Sequence, residues 1–397
     1  MKMLIKNFVK KIIPSEKRQI ILRKCNYLLS GGKKIKSKVR LSVIDDGYHS
    51  TCGYYDLDPV RNGFLLYITS DKAYEIASIK CLDIKSGKKE ELFKGLVLNW
   101  QQGNRLRWLG EKRYIFNSYE NDSYISVECD HGKKKLHSYP VYDANEIFAI
   151  SIDFNRLGYL RPGYGYTKFA YNEVSQDDIA ISVYDIETDE QVFTIRFSDI
   201  LRVLAQEKIT INDINNCYIN HISISPLKDK FLFFFIEKQK TIHMCYLMVW
   251  EKNGIKLMDR ELSASHYTWK DNKTILATMY TPSRECGYFY YNTESGKRTD
   301  VLPNKLKMDG HPTFIDGNVF VTDTYPDKAG FQKILLVNEQ SGDITTVLKI
   351  YSTSKHMGVQ RCDLHPRYSV ENNRVYFDAD IDGRRRIYSF LVGENKV

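Results

Sequence analysis

The sequence predicts an all-β protein, a seven-bladed β-propeller with a short basic helical N-terminal extension. Three observations lead there. Tyr and Phe are abundant, at 28 and 19 residues, while Pro numbers only 10, which is the composition of pleated, half-buried strands. β-Branched and aromatic residues recur in short runs bounded by Asp, Asn or Gly. Those runs repeat, an inner strand and a turn followed by a second apolar strand, at the period of propeller blades.

Residues 1–40 are expected to form the extension and 41–397 the propeller. The first 40 residues carry 13 Lys or Arg against a single acid, Glu16, whereas the rest carry 45 basic and 48 acidic groups. The net charge of +9 therefore belongs to the extension, and the body has no general attraction for polyanions, so no nucleic acid is expected as a partner. Leu4, Ile5, Phe8, Val9, Ile12 and Ile13 fall at helical spacing with Lys on the other face, and Pro14 closes the pattern. A helix of that kind either packs on the flank of the propeller or lies on an anionic membrane, a contact expected through residues 1–30. Lys6, Lys10 and Lys11 break the apolar stretch that a secretory signal needs, and no run is long enough to span a bilayer. The expected location is cytoplasmic, peripheral at the inner membrane face if the tail docks there. Eight cysteines without a CxxC or a close pair read as reduced core thiols.

The clearest blade repeats are NHISISPLKDKFLFFF from Asn220, SHYTWKDNKTILATM from Ser265, GHPTFIDGNVFVTDTY from Gly310 and LHPRYSVENNRVYFDAD from Leu364. Their histidines are His221, His266, His311 and His365, each followed three positions later by Ile224, Trp269, Phe314 or Tyr368. Aligning GYYDLDPVRNGFLLY, RLRWLGEKRYIF and SYPVYDANEIFAIS to the same register adds Tyr54, Arg105 and Tyr139 and brings the blades to seven. Inner strands converge on a central channel, so one register on several blades meets near the axis. Four of the nine histidines in that register read either as a functional cluster or as a structural position of the repeat.

Converging neutral imidazoles with a carboxylate suit a divalent cation such as Mn2+ or Zn2+. The segment VQRCDLHPRY supplies Gln360, Cys362, Asp363 and His365; on a strand, Asp363 and His365 share a face and Gln360 takes the other. Arg105, Arg107, Arg156, Arg161, Arg361 and Arg367 are expected near the channel, where a guanidinium fork fits the carboxylate of an acidic oligosaccharide. Tyr164, in the turn RPGYGY, offers a face for a sugar ring. There is no GxSxG elbow, P-loop, GxGxxG or HExxH, which argues against nucleotide-driven chemistry.

With GYYDLDP at 53–59, NWQQGNRLRW at 99–108, RLGYLRPGYGY at 156–166, DGHPTF at 309–314, TDTYPD at 322–327 and RCDLHPRYS at 361–369, the sequence resembles oligogalacturonate lyase and the propeller-type ulvan lyases over nearly all of the chain after residue 45. The resemblance implies metal-assisted β-elimination on a uronate-containing substrate in the channel. Oligogalacturonate lyase draws metal ligands from a Gln-x-x-His-x-His segment and a histidine of a neighbouring blade; here the segment reads Gln360-Arg361-Cys362-Asp363-Leu364-His365, with Asp363 in place of the first histidine. His311, Gln360, Asp363 and His365 are then the expected ligands, His221 or His266 the general base, and Arg105 and Arg161 the groups that neutralise the substrate carboxylate. Tyr54, Gln102, Arg361 and Tyr164 are the expected sugar contacts. The alternative is a non-catalytic propeller accessory to surface-polysaccharide biosynthesis at the cytoplasmic face of the membrane.

Overall fold

The strand-forming runs pair because the turns between them are made by short polar side chains. Asp83 accepts hydrogen bonds from the backbone N–H of Lys85 and Ser86 at 2.9 and 3.1 Å, Asp185 from Glu187 and Thr188 at 2.9 Å each, and Asn292 from Glu294 and Ser295 at 3.1 and 2.8 Å. Each is the same Asx turn, closing the hairpin between the third and fourth strands of a blade. Asp271 and Asp316 do the same between first and second strands.

The computed structural model describes residues 15–29, 31–96, 99–240, 242–353 and 358–393. Its strands form seven antiparallel sheets; five run in chain order from the axis outward, and two take their outermost strand from the beginning of the chain. The innermost strands are His49–Thr51, Arg107–Trp108, Asp143–Ala144, Cys217–Ile224, Ser263–Trp269, Thr313–Phe314 and Arg367–Ser369, opening blades 1 to 7. The core lies between neighbouring sheets, and its largest continuous part fills blades 3 to 5 with Ile181, Phe231, Phe233, Phe235, Leu247 and Ile275.

The ring closes through strand pairing. Blade 7 has three strands of its own, and Ser42–Ile44 completes it from the other end of the chain, with Ser42 opposite Ser389 and Ile44 opposite Ile387. Ile35–Ser37 adds a fifth strand to blade 6, with Ile35 opposite Ile350, and Val39 is buried beside Leu348 and Ile350. Sheet pairing therefore reaches back to Ile35, inside the stretch 1–40 that charge and composition assign to the extension. Charge reports what the side chains meet in water, and here half-buried Ile35 in the strand and buried Val39 just beyond it alternate with the exposed Lys36 and Lys38.

The helix Ser15–Leu29 follows Pro14 and packs on the flank of blade 6, where Tyr27 lies tilted against Tyr351 with ring centroids 4.1 Å apart. The pattern from Leu4 to Ile13 lies outside the described residues. No described helix is long and apolar enough to cross a membrane. All eight cysteines are free thiols, five of them buried.

Candidate functional site

Local backbone distortions aim the histidines at the axis. The pairing of Cys217–Ile224 with the next strand slips between Asn220 and Ser223, and His221 in that slip has a left-handed φ of 49°. A second slip, between Ala264 and His266, turns His266 inward. His365 has φ 45° and precedes the strand Arg367–Ser369. Left-handed backbone is uncommon for residues with a Cβ and gathers where structure is held for a purpose. His311 follows Gly310, where an added Cβ would lie 2.2 Å from the Asp323 carbonyl oxygen, so only glycine lets this segment run against the next strand.

The four histidines meet. Ring centroids lie 5.9 Å apart for His221 and His266, 4.0 Å for His266 and His311, and 4.5 Å for His311 and His365. Tyr54 enters from blade 1 and closes the circle, 5.1 Å from His221, 4.6 Å from His365 and 5.8 Å from His311. The close backbone approach of Gly53 and Gly103 brings that blade in: a Cβ on Gly103 would stand 2.6 Å from the Gly53 Cα.

Two buried carboxylates orient two of the rings. His266 Nδ1 lies 3.1 Å from Asp309 Oδ1, and His311 Nδ1 lies 2.9 Å from Asp323 Oδ1. An ionised carboxylate only accepts, so each Nδ1 carries a proton and donates it. In the neutral ring, Nε2 is left with its lone pair free, the arrangement that metal-binding histidines use. His311 Nε2 and both ring nitrogens of His365 are buried without a hydrogen-bond partner, and an unsatisfied buried polar atom costs roughly 1–3 kcal/mol.

Burial and the positive fields of His266, His311, Arg105 and Arg161 hold His221 well below the ordinary histidine range, and burial with His311 lowers His266 against the pull of Asp309. His365 is likewise pushed well down by burial and by His311. For His311, burial acts downward but the carboxylates of Asp323, Asp363 and Asp309 together outweigh it, so this ring alone of the four is raised. The cluster thus holds three neutral imidazoles beside one that favours its proton.

A cavity of about 310 Å³ opens onto this cluster. His221 and His266 line it with Arg161, Tyr164, Arg284 and Tyr325, while His311 and His365, 1% and 0% exposed, lie beneath. Arg161 stands over the Tyr164 ring at 5.1 Å. Arg361 donates to the Tyr164 hydroxyl at 2.7 Å and to Asp363 at 2.8 Å. Gln102 is buried, bonded to the Tyr142 hydroxyl at 2.8 Å and to Asn220 at 3.3 Å, next to His221.

Four expectations are corrected. Arg105 does not face substrate: it is 1% exposed, forked onto Asp56 and bonded to the Tyr142 carbonyl, tying blades 1 to 3 together. Gln360 is exposed in the turn Gly358–Gln360 and does not join the histidines. Residues 361–366 form no strand, so alternation does not govern them; Asp363 is nonetheless buried, 4.0 Å from His365 Nε2 but engaged by Arg361. Tyr139 takes no axial place. Its hydroxyl donates to Asp189 at 2.9 Å, and Tyr142 fills the channel register of blade 3, donating to Asn220 and accepting from the His221 N–H, both at 2.8 Å. The carboxylates Asp309 and Asp323, with Tyr325, are the participants that repeat alignment missed, although all three lie within DGHPTF and TDTYPD.

No family model matches the chain, and no curated protein does. Solved structures do. An oligogalacturonate lyase from Vibrio parahaemolyticus superposes with a TM-score of 0.60 at 13% identity, over 91% of this chain and 98% of that one. The fold is that of oligogalacturonate lyase. A second oligogalacturonate lyase structure, in complex with manganese, gives 0.61 at 11% identity over 90% and 97%. The propeller domain of a trilobed protease from Pyrococcus furiosus gives 0.51 at 10% identity over 87% and 95%. At these identities the likeness is one of fold.

Among the described residues no three His, Cys, Asp or Glu side chains are already gathered around one point as a cation site. The donor set fits a divalent cation chemically all the same: imidazoles on His266 and His311 with Nδ1 anchored to carboxylates, and orphaned ring nitrogens on His311 and His365, with His311 giving up its extra proton on binding.

Proposed function

We propose that this propeller binds a uronate-containing oligosaccharide at the mouth of its channel and cleaves it by β-elimination, with His266, His311 and His365 as the residues that would hold a divalent cation. One observation carries the reading: four histidines from four successive blades converge at the floor of a cavity bearing Arg161 and Arg284, His221 and His266 lining it. The manganese-bound oligogalacturonate lyase of the same fold supports the choice of cation and substrate class.

The two arginines at the cavity wall suit a sugar carboxylate, which a guanidinium fork grips in a fixed plane. A bound cation would supply Lewis-acid neutralisation of that carboxylate, making the adjacent C5 proton removable. His221 reaches the cavity with its lone pair available at neutral pH, because its folded-state pKa is depressed, and takes the C5 proton as general base. The hydroxyl of Tyr325 at the cavity wall is the proton source for the departing oxygen, while Tyr54, buried with its hydroxyl 3.5 Å from His221 Nε2, backs the base. The products are a 4,5-unsaturated uronate at one new end and a free hydroxyl at the other.

The test is metal content of the purified protein by mass spectrometry, followed by ultraviolet absorbance with a panel of uronate oligosaccharides. Bound metal and new absorbance from the conjugated product, both lost in His311→Ala and His365→Ala, are expected. Absence of metal and turnover across the panel would overturn the proposal.

A further inference from the structure

The helix Ser15–Leu29 is packed the opposite way round from an ordinary surface helix. Its polar and aromatic side meets blade 6: Asn26 donates to the Lys328 carbonyl at 3.2 Å, and Tyr27 lies against Tyr351 and Phe331 at 4.1 and 6.0 Å. The aliphatic side faces water, with Ile21, Leu22, Leu28 and Leu29 49%, 61%, 70% and 86% exposed. At about 100° per residue these four and the exposed Cys25 form one stripe along the helix. Tertiary packing satisfies such a stripe in most proteins; here nothing in the chain among the described residues covers it.

The surroundings indicate what does. Lys17, Lys24, Lys33, Lys34, Lys36, Lys38 and Arg40 are all exposed, and the sequence from 17 to 40 contains no acid. Residues 41–397 carry 45 basic and 48 acidic groups, so the net positive charge belongs to the N-terminal part of the chain that includes this edge. A protein-binding patch is typically rich in aromatic residues and Arg and poor in Lys. Aliphatic residues edged by lysines are the composition of a helix lying in a lipid headgroup layer, where anionic lipid attracts each nearby basic residue.

We propose that Ser15–Leu29 together with the basic segment 33–40 is a docking surface for an anionic lipid bilayer, seating the flank of blade 6 on the membrane. Because the segment 35–37 is a strand of blade 6, the surface is fastened to the propeller and fixes its orientation. The inference is independent of the chemistry in the channel.

The full chain is tested by co-sedimentation with phosphatidylcholine vesicles, with and without ~30 mol % phosphatidylglycerol. Binding is expected only to the anionic vesicles and weakened by added salt. Leu22→Ser/Leu28→Ser/Leu29→Ser lowers vesicle affinity about tenfold or more by removing the inserted aliphatic groups, and Lys33→Glu/Lys34→Glu lowers it through charge. The thermal melt of both variants stays that of the wild type, since the altered side chains are exposed. Failure of the wild type to bind anionic vesicles, or equal binding by wild type and triple-serine variant, overturns the proposal. It is also overturned if light scattering shows a wild-type dimer that the triple-serine variant dissociates, because the stripe then faces a second copy of this chain.

Discussion

Asp323 holds two histidines of the channel at once, and Asp323→Asn separates its effects cleanly. The carboxylate is 1% exposed and accepts the His311 N–H at 2.8 Å, His311 Nδ1 at 2.9 Å and the His365 N–H at 3.1 Å. An asparagine placed in the same plane keeps one acceptor oxygen and turns an amide nitrogen toward the His365 N–H, donor against donor. A hydrogen bond to a charged group contributes ~1.5–3 kcal/mol, so losing one and weakening the two at His311 costs about 3–4 kcal/mol. With an unfolding entropy of ~2.1 cal/mol/K per residue over 397 residues, the melting temperature should fall by about 4 °C, measured by calorimetry. The pH dependence should change as well. His311 is raised in the folded protein, so its pair with Asp323 adds stability that is complete below about pH 6.5 and is lost as pH rises through the elevated folded value. The wild-type-minus-variant difference should therefore shrink above that value. If metal binds, its affinity should drop about 10- to 100-fold, as for other lost orienting partners of ligand histidines. A variant that melts within about 1 °C of wild type with an unchanged pH difference would refute the view that Asp323 orders this side of the channel.

Glu128 is buried against His137 and Arg113, and although burial acts to raise it, those partners hold it at about 2. Its stabilisation is present above about pH 4.5 and lost as pH falls toward the folded value, with a limit of about 3 kcal/mol; urea titrations should show Glu128→Gln losing most of its deficit at low pH. Gly103→Ala places a Cβ 2.6 Å from the Gly53 Cα at a φ of +60°, and should cost more than about 1 kcal/mol in the urea midpoint while leaving surface variants nearby silent. Tyr142→Phe strips a hydroxyl that serves Gln102, Asn220 and the His221 N–H; a loss of about 1–3 kcal/mol and a shifted His221 resonance by NMR are expected, and neither should appear if that network is incidental.

Much of the site could be read from spacing. His221, His266, His311 and His365 occupy one register of a repeat, and a propeller carries one register to the axis whatever the side chains are. The pairings could not be read. His266 finds its carboxylate at Asp309 and His365 its acceptor at Asp323 across neighbouring blades, a matter of how two sheets pack. Arg105 reads as a substrate-facing arginine until Asp56, distant in sequence, takes its fork. Strand alternation puts Gln360 and Asp363 on opposite faces, but the stretch that holds them forms no strand.

The all-β class, the seven-fold repeat, the histidine register and the concentration of positive charge before residue 41 are all written in the amino-acid order, because each is a matter of composition or period along the chain. Only the tertiary structure decided which end completes blade 7, which carboxylate orients which imidazole, which arginines are buried structural ties, and that the aliphatic side of Ser15–Leu29 faces water. Those follow from contacts between segments that come from different strands and blades, some neighbouring in the chain and some at its opposite ends, where burial and a few ångströms decide whether a charged or apolar group is satisfied, and local pattern carries no record of either.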